Sequence, residues 1–200
     1  ERTVVIYSAD HGYNMGHNGI WHKGNGHWVL TENPPATENI PAGQRPNLYD
    51  NSLRVPTAVR WPGVVAENTV LNETISHLDW FPTILDMAGV KIPESVTQRG
   101  RSLVPLLRGE TSDWDNDFYA EYSTHHQAQT HMRAYRTADW KLIRDFKNEG
   151  RDELYNLRDD PAEAHNLIDS TDPGVKQAIA QLHAKILARM EAVGDHVADH

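Results

Sequence analysis

Apolar residues recur every three or four positions near the end of the chain. This period predicts an amphipathic helix that begins at Pro173. Such a helix must bury its apolar stripe against another layer. The preceding section offers that layer, because four short segments alternate or run apolar at strand length: 118–122, 132–137, 140–146 and 153–155. We therefore predict a small antiparallel sheet packed on a C-terminal helix whose stripe consists of Val175, Ile179, Leu182, Ile186, Met190 and Val193.

The first part of the chain has a different character. Residues 3–8 form an apolar, β-branched run that predicts a strand buried on both faces, as in a parallel sheet. Residues 57–60 are a candidate partner, and Asp79 is placed to cap a short helix over residues 80–88. A doubly buried strand needs neighbours that the rest of this sequence hardly offers. We therefore expect part of a larger α/β fold.

The fold class expected from these segments is α/β, with part of a mixed sheet followed by a small antiparallel-sheet subdomain that ends in the long helix. The predicted domains are an incomplete α/β domain over residues 1–115 and the subdomain over residues 116–200.

The composition limits the classes of partner. The formal net charge of -9 argues against a nucleic-acid coat, because phosphate binding needs a basic face. The mean hydropathy of -0.64, with no long apolar run, argues against a transmembrane helix, so no membrane partner is expected. Apolar residues make up 38% of the chain and can support a core, and there is no cysteine, so disulfides are absent.

The strongest chemical signal follows the first predicted strand. Ligands of open α/β sheets bind at the carboxyl ends of the strands. There, Asp10 offers a hard oxygen ligand and His11 a nitrogen ligand for a divalent metal. Lys23 follows on a loop bounded by glycines, where its ammonium can contact an anionic group. These residues alone leave two other interpretations open: a turn that Asp10 and His11 only cap, and a solvated loop lysine.

Together with motifs further along, these residues resemble type I sulfatases of the alkaline phosphatase superfamily. One match would carry little weight, but six in the family's order, over residues 4 to about 168, argue strongly against coincidence. The similar segments are Asp10-His11-Gly12 with Gly16, Gly19 and Lys23; 51–56 with 60–63; 78–85 with 88–89; 100–107; 132–137 with 140–143; and 153–157 with Asp160-Pro161, Glu163 and Asn166-Leu167.

The resemblance implies a metal-dependent hydrolase that acts on a sulfated small molecule or saccharide. It implies that Asp10 is a metal ligand and that His11 reaches the metal or the sulfate oxygens. Lys23 matches the family's catalytic, sulfate-binding lysine, which would stabilise negative charge on the transferring group. The cofactor would be a divalent metal, in this family usually calcium. The resemblance also favours a periplasmic or secreted location.

Three further histidines are candidate substrate-binding residues. His17 flanks the loop that carries Lys23. His125 and His126 are expected in a polar loop between strands, in a subdomain that often lines the substrate cleft of the resembling family.

The sequence also departs from the family pattern. Sulfatases use a formylglycine nucleophile made from a C/S-x-P-x-R motif, and these 200 residues contain no such motif. We therefore expect the formylglycine in an amino-terminal sulfatase part that completes the enzyme, and we expect this chain to be inactive alone. Two alternatives remain open: a phosphodiesterase or phosphonate hydrolase of the same superfamily, and a non-catalytic binding subunit derived from a sulfatase.

Overall fold

The computed structural model describes residues 2–32, 34–110 and 113–199. They form two compact units. The first unit comprises the chain up to Ser8 together with Pro56–Asn116, and the second comprises Ala9–Val55 together with the chain from Asp117 onward. The segment that carries Asp10, His11 and Lys23 therefore shares a unit with the C-terminal sheet. The division into domains 1–115 and 116–200 stays a prediction.

A two-stranded sheet begins the first unit. Strand β1 (Val5–Tyr7) pairs with β2 (Ala58–Arg60) in antiparallel register, with Ile6 opposite Val59. The predicted partner is confirmed, but the parallel, doubly buried strand is wrong: Val5 and Tyr7 are 51% and 63% exposed. A three-residue apolar run does not encode the direction of its partner. The layers that cover a strand, rather than its composition, decide its burial.

Two helices complete the first unit. Helix α2 (Trp80–Met87) confirms the helix predicted for residues 80–88, and α3 (Val104–Leu107) packs nearby with its buried leucines against Trp80. We had predicted that the Asp79 side chain caps α2, and this is wrong, because it makes no capping hydrogen bond to that helix. Its carboxylate instead accepts the backbone N–H groups of Ser76 at 2.7 Å and Arg101 at 2.8 Å. Asp79 thus joins two segments that are distant in sequence.

The second unit is built on a four-stranded antiparallel sheet in the order β3-β4-β5-β6. This confirms the predicted sheet, although three of its strands are longer than expected. The strands are β3 (Phe118–His125), β4 (Gln129–Arg136), β5 (Trp140–Asp145) and β6 (Glu153–Asn156). His125 therefore ends β3, and only residues 126–128 connect it to β4. The polar loop expected to hold both His125 and His126 is a short turn.

One face of the sheet is covered by α4 (Pro173–Val193), which begins at the predicted residue. Asp172 caps it by accepting the N–H groups of Gly174 and Val175 at 2.8 and 3.0 Å. Five of the six predicted stripe residues pack in this core, which confirms the predicted contact of helix and sheet. The fully buried members of the core are Tyr135, Leu142, Leu154, Leu182, Ile186 and Met190.

The other face of the sheet is covered by the segment 9–55. Side chains alternate between the two faces along a strand, so Ala134 and Ile143 point away from α4. They pack with Ile20 and Tyr49, which are both fully buried. The short helix α1 (Asp50–Leu53) follows Tyr49 directly. The segment that bears the candidate site thus rests on the hydrophobic core of the C-terminal sheet.

None of the helices within the described residues combines the length and the apolarity needed to cross a bilayer.

Candidate functional site

The structure brings three predicted residues together. Nζ of Lys23 lies 2.8 Å from Nε2 of His11, and a carboxylate oxygen of Asp10 lies 3.4 Å from the same nitrogen. Nδ1 of His11 lies 2.8 Å from the carbonyl oxygen of Gly12. Because a carbonyl only accepts, Nδ1 carries the ring proton, and the lone pair of Nε2 accepts from the Lys23 ammonium. The imidazole therefore orients the lysine, while the Asp10 side chain stays 85% exposed.

Gly12 holds this group against α1. Its N–H donates to the carbonyl of Ser52 at 2.9 Å. A Cβ atom at Gly12 would lie 2.1 Å from the carbonyl oxygen of Asn51 and 2.9 Å from that of Arg54. Real Cβ atoms do not approach backbone oxygens so closely, so only glycine permits this contact. The glycine that follows Asp10 and His11 is thus required by backbone packing.

The loop of Lys23 is fixed by a second backbone pairing. Gly26 donates its N–H to the carbonyl of Lys23 at 2.8 Å, which closes a turn. The carbonyls of Gly24 and Gly26 accept from Asn47 at 2.8 Å and Arg45 at 2.9 Å. Gly26 has φ +66°, and a Cβ there would lie 1.8 Å from the carbonyl oxygen of Arg45. These contacts hold the backbone of Lys23 in one position.

A buried ionic network lies beneath α1. Lys141 of β5 is fully buried, and its ammonium lies 3.0 Å from Asp50 and 2.7 Å from Glu163. Glu163 also accepts the backbone N–H of Asp50 at 2.6 Å, and Arg136 lies 3.3 Å from the Asp50 carboxylate. Sequence reasoning missed this network. The available signal was a lysine flanked by apolar residues at a position of β5 that faces the core.

The network separates the pKa values of its two acids. Burial raises the pKa of Asp50, but the charges of Lys141 and Arg136 outweigh that effect and hold it below its usual value of 3.8. For Glu163 burial dominates, and its pKa is raised above 4.5 although Lys141 partly offsets the effect.

Aromatic rings surround the Lys23 loop. The ring of His22 lies 5.5 Å from Tyr13, 5.6 Å from His27 and 5.1 Å from Trp28, between ring centroids. Trp28 is 62% exposed. Burial lowers the pKa of His27 below 6.5, and the charges of His22 and His126 lower it further. His126, in the β3–β4 turn, therefore lies near enough to this aromatic group to affect the pKa of His27. Sequence reasoning had not included His27 or Trp28.

Two other predicted residues, His17 and His125, make no contact with Lys23 or His11 within the described residues. His17 is exposed in a 3-10 turn (His17–Gly19), and in the described part of the chain no contact joins its ring to His11 or Lys23. His125 is also exposed, and its ring packs on that of His131 at 4.9 Å. A substrate role for His17, His125 and His126 stays a prediction.

The ligand atoms that Asp10 and His11 offer can be compared with those that the expected metal requires. Calcium binds about six to eight oxygens, and Asp10 offers such a ligand on an exposed side chain. His11 fits less well, because Nδ1 donates to Gly12 and Nε2 accepts from Lys23. Over the described ranges, no group of three or more His, Cys, Asp or Glu side chains could hold a metal ion. Metal binding by Asp10 and His11 stays a prediction, and these residues alone do not complete a site.

Solved structures share this fold. This chain matches a putative sulfatase from Bacteroides thetaiotaomicron with a TM-score of 0.75 and 24% identity, over 99% of this chain and 38% of that one. A structure solved in complex with its substrate, D-glucosamine-2-N,6-O-disulfate, matches with a TM-score of 0.72 and 24% identity, over 99% of this chain and 36% of that one.

Sequence relatives are sulfatases from several organisms. An N-acetylglucosamine-6-O-sulfatase of Bacteroides thetaiotaomicron is 26% identical over 88% of this chain and 28% of its own length. A steryl-sulfatase of Rattus norvegicus is 27% identical over 98% and 36%. An ulvan-active sulfatase of Formosa agariphila is 26% identical over 100% and 40%. The chain thus spans well under half the length of each relative.

The family model described as "N-sulphoglucosamine sulphohydrolase, C-terminal" matches residues 44–192. This match includes α1, the whole four-stranded sheet and all of α4 but its last residue. The chain therefore belongs to the N-sulphoglucosamine sulphohydrolase C-terminal family and is similar to the carboxyl-terminal part of sulfatases.

Proposed function

We propose that the protein containing this chain hydrolyses a sulfate ester on a saccharide, and that this chain supplies the sulfate-binding lysine and one metal ligand. The observation that carries the proposal is the Lys23 ammonium, held 2.8 Å from Nε2 of His11 with the Asp10 carboxylate beside it. A cation and a hard oxygen ligand at one point suit the negatively charged sulfate group of a sulfate ester better than they suit a neutral ester.

Each residue has a separate role in this proposal. Lys23 donates to the sulfate oxygens and to the ester oxygen, on which charge grows as its bond to sulfur breaks. His11 is a positioning residue, because its Nε2 accepts from Lys23 and its Nδ1 is anchored on Gly12. Asp10 is the carboxylate of this chain that would hold a divalent metal, most suitably calcium. Such a metal, when bound, polarises sulfate oxygens.

A saccharide is favoured as substrate class by the relatives and by the surroundings of Lys23. Two of the relatives are named for N-acetylglucosamine 6-O-sulfate and for ulvan, and a structural neighbour was solved with a sulfated glucosamine. In this chain, exposed Trp28 offers an apolar ring face, and His22 and His126 offer polar groups nearby. Aromatic rings with polar tips suit a ligand that is apolar on one side and hydroxylated on the other.

The proposal leaves the nucleophile outside these 200 residues, as a formylglycine in an amino-terminal part. Residues 1–200 alone are then expected to release no sulfate above background. The test uses the complete protein with its nucleophile formed, incubated with sulfated glucosamines and with an aryl sulfate while sulfate release is measured.

Asp10→Ala should lower both the bound calcium, measured by elemental analysis, and the turnover. Asp169→Ala removes another exposed carboxylate, from the segment before α4, and should change neither. A complete protein that hydrolyses phosphodiesters and leaves every sulfate ester intact would overturn the proposal. Unchanged calcium content in Asp10→Ala would remove Asp10 from it.

A further inference from the structure

A cavity of about 220 Å³ lies in the second unit and plays no part in the proposed chemistry. Its floor is apolar and buried, and includes Ile40 and Met132. Its wall is polar and includes Arg45, Arg151 and Glu153. Ligand sites for drug-sized molecules measure about 300–1,000 Å³. This cavity is smaller, and its size suits one ring with its substituents.

Two carboxylates of the wall already have partners. Glu153 accepts from the hydroxyls of Tyr49 at 3.2 Å and Tyr155 at 2.9 Å, and it lies 3.5 Å from the Arg45 guanidinium. Asp152 lies 2.9 Å from Nε of Arg144. Both carboxylates are therefore held in place, and each retains lone pairs that can accept one further hydrogen bond.

Arg151 is in the opposite situation. Its Nη2 is buried, and within the described residues it has no hydrogen-bond partner. Leaving a buried donor without an acceptor is unfavourable, and the penalty is larger for a charged group. A guanidinium presents five N–H donors in a rigid fork, and the half-buried Arg151 side chain lines the cavity. The cavity therefore favours a ligand that carries hydrogen-bond acceptors.

The charge of the lining decides which acceptor fits. The lining residues include four carboxylates, Glu32, Asp145, Asp152 and Glu153, but only two guanidinium groups, Arg45 and Arg151. The net negative charge disfavours a second anion, since like charges in a partly buried site repel strongly. A hydroxyl avoids this repulsion, because it accepts from Arg151 and donates to a carboxylate.

We propose that this cavity binds an uncharged sugar ring, whose hydroxyl groups bridge Arg151 and the wall carboxylates and whose C–H face rests on Ile40 and Met132. The inference extends the proposed function, because it gives the saccharide a second, unsulfated ring site. The two sites are also joined through the backbone: Arg45 donates its N–H to Gly26, which in turn closes the Lys23 turn.

The experiment uses the complete protein with isotopically labelled methionine methyl groups. Unsulfated glucose, galactose and N-acetylglucosamine are titrated separately while the Met132 methyl resonance is followed. Met190, buried in the core between α4 and the sheet, is the internal reference. At least one sugar should shift Met132 in a saturable way and leave Met190 unchanged. Arg151→Met should weaken that sugar's Kd at least tenfold, whereas Arg158→Met, which removes an exposed arginine, should leave it within twofold.

Three outcomes would overturn the inference: no saturable shift at Met132 with any of these sugars, equal affinity in Arg151→Met, or tighter binding at Met132 by a 6-sulfated sugar than by its unsulfated form. The Lys23→Ala variant keeps the two proposals apart. It should lose sulfate release and retain the Met132 titration. In the wild-type complete protein, sulfate release without a Met132 titration refutes only the ring site, and a Met132 titration without sulfate release refutes only the proposed activity.

Discussion

The Lys141 ammonium lies 2.7 Å from a carboxylate oxygen of Glu163, and both side chains are almost fully removed from solvent. The same ammonium reaches Asp50 in α1, at 3.0 Å. One lysine of the sheet thus binds two acids whose positions in the chain are far apart. Because α1 packs directly on Gly12, this ionic group supports the backbone that presents Asp10 and His11.

Replacing Lys141 by Met should therefore lower the free energy of unfolding of the protein. The substitution keeps a similar volume but leaves buried Glu163 without a cation and Asp50 with Arg136 and Arg54 only, and removing one partner of a buried pair typically costs about 3–5 kcal/mol. Urea unfolding at neutral pH measures the loss. The matched control is Arg158→Met, which removes the exposed pair with Asp139 and should change stability little. Equal losses in the two variants would show that Lys141 is not the anchor of α1.

Gly12→Ala should destabilise the second unit through backbone crowding. The new methyl group would meet the carbonyl oxygen of Asn51, and overpacking of this kind costs about 1–3 kcal/mol. Gly174→Ala is the control, because its new Cβ meets only a movable side-chain oxygen of Asp172, at 3.1 Å in the first turn of α4. Thermal unfolding should separate the two variants, and equal melting temperatures would contradict the close packing of Gly12.

Lys23→Ala in the complete enzyme should reduce turnover about 10²–10³-fold, the usual effect of removing one donor to a developing negative charge. Its melting temperature should stay close to that of the wild type, since Lys23 supports no core. Lys23→Arg should restore little activity, because a planar fork does not replace a compact ammonium beside His11. Steady-state kinetics on one aryl sulfate test both variants. The control is Lys176→Ala, at an exposed position of α4. Wild-type turnover in Lys23→Ala would refute its role.

Acid sensitivity should come in part from Asp195, just after α4. The hydrogen bond from Nε of Arg133, at 2.5 Å, holds the pKa of Asp195 below its usual 3.8, although burial opposes this shift. A lowered pKa in the folded state adds stability that is present above about pH 3.8 and is lost as the pH falls through the folded value.

Asp195→Asn tests this prediction. The variant should be about 1–3 kcal/mol less stable than wild type near pH 6, because it leaves the Arg133 charge unpaired. The difference should narrow below about pH 3.8, as the pH falls towards and through the lowered pKa of the folded wild-type carboxylate. Urea unfolding of both proteins across this range gives the two curves. A constant difference at all pH values would mean that the Asp195 charge contributes nothing.

The sheet and α4 could be predicted because their signals are local. Apolar residues at a period of about two along Met132–Tyr135, and of three or four from Val175 onward, reflect burial of one face and need no knowledge of the partner. The contact of α4 with the sheet followed, since both elements had one apolar face to cover. The approach of Lys23 to His11 was expected from the resemblance, and the structure places the two side chains in contact.

What could not be predicted depends on contacts between distant segments. Nothing near Val5 encodes whether its strand runs parallel or antiparallel to residues 58–60. Ile20 and Tyr49 are buried only because the sheet lies beneath them, and the partners of Lys141 are separated from it by 91 and 22 positions along the chain. The cavity beside Arg151 likewise forms only when Ile40 and Arg45 come to lie near Met132 of β4 and Asp145 of β5.

The packing of residues 9–55 on the C-terminal sheet sets a rule for recombining this protein with its relatives. In a chimaera joined at residue 116, Tyr49 and α1 would pack on the sheet of a different protein. Asp50 would then face that protein's residues in place of Lys141 and Glu163. The segment 9–55 would have to be inherited together with residues 117–200, as one unit of exchange. The same restriction applies in evolution, because a substitution in the sheet core can also change the placement of Lys23.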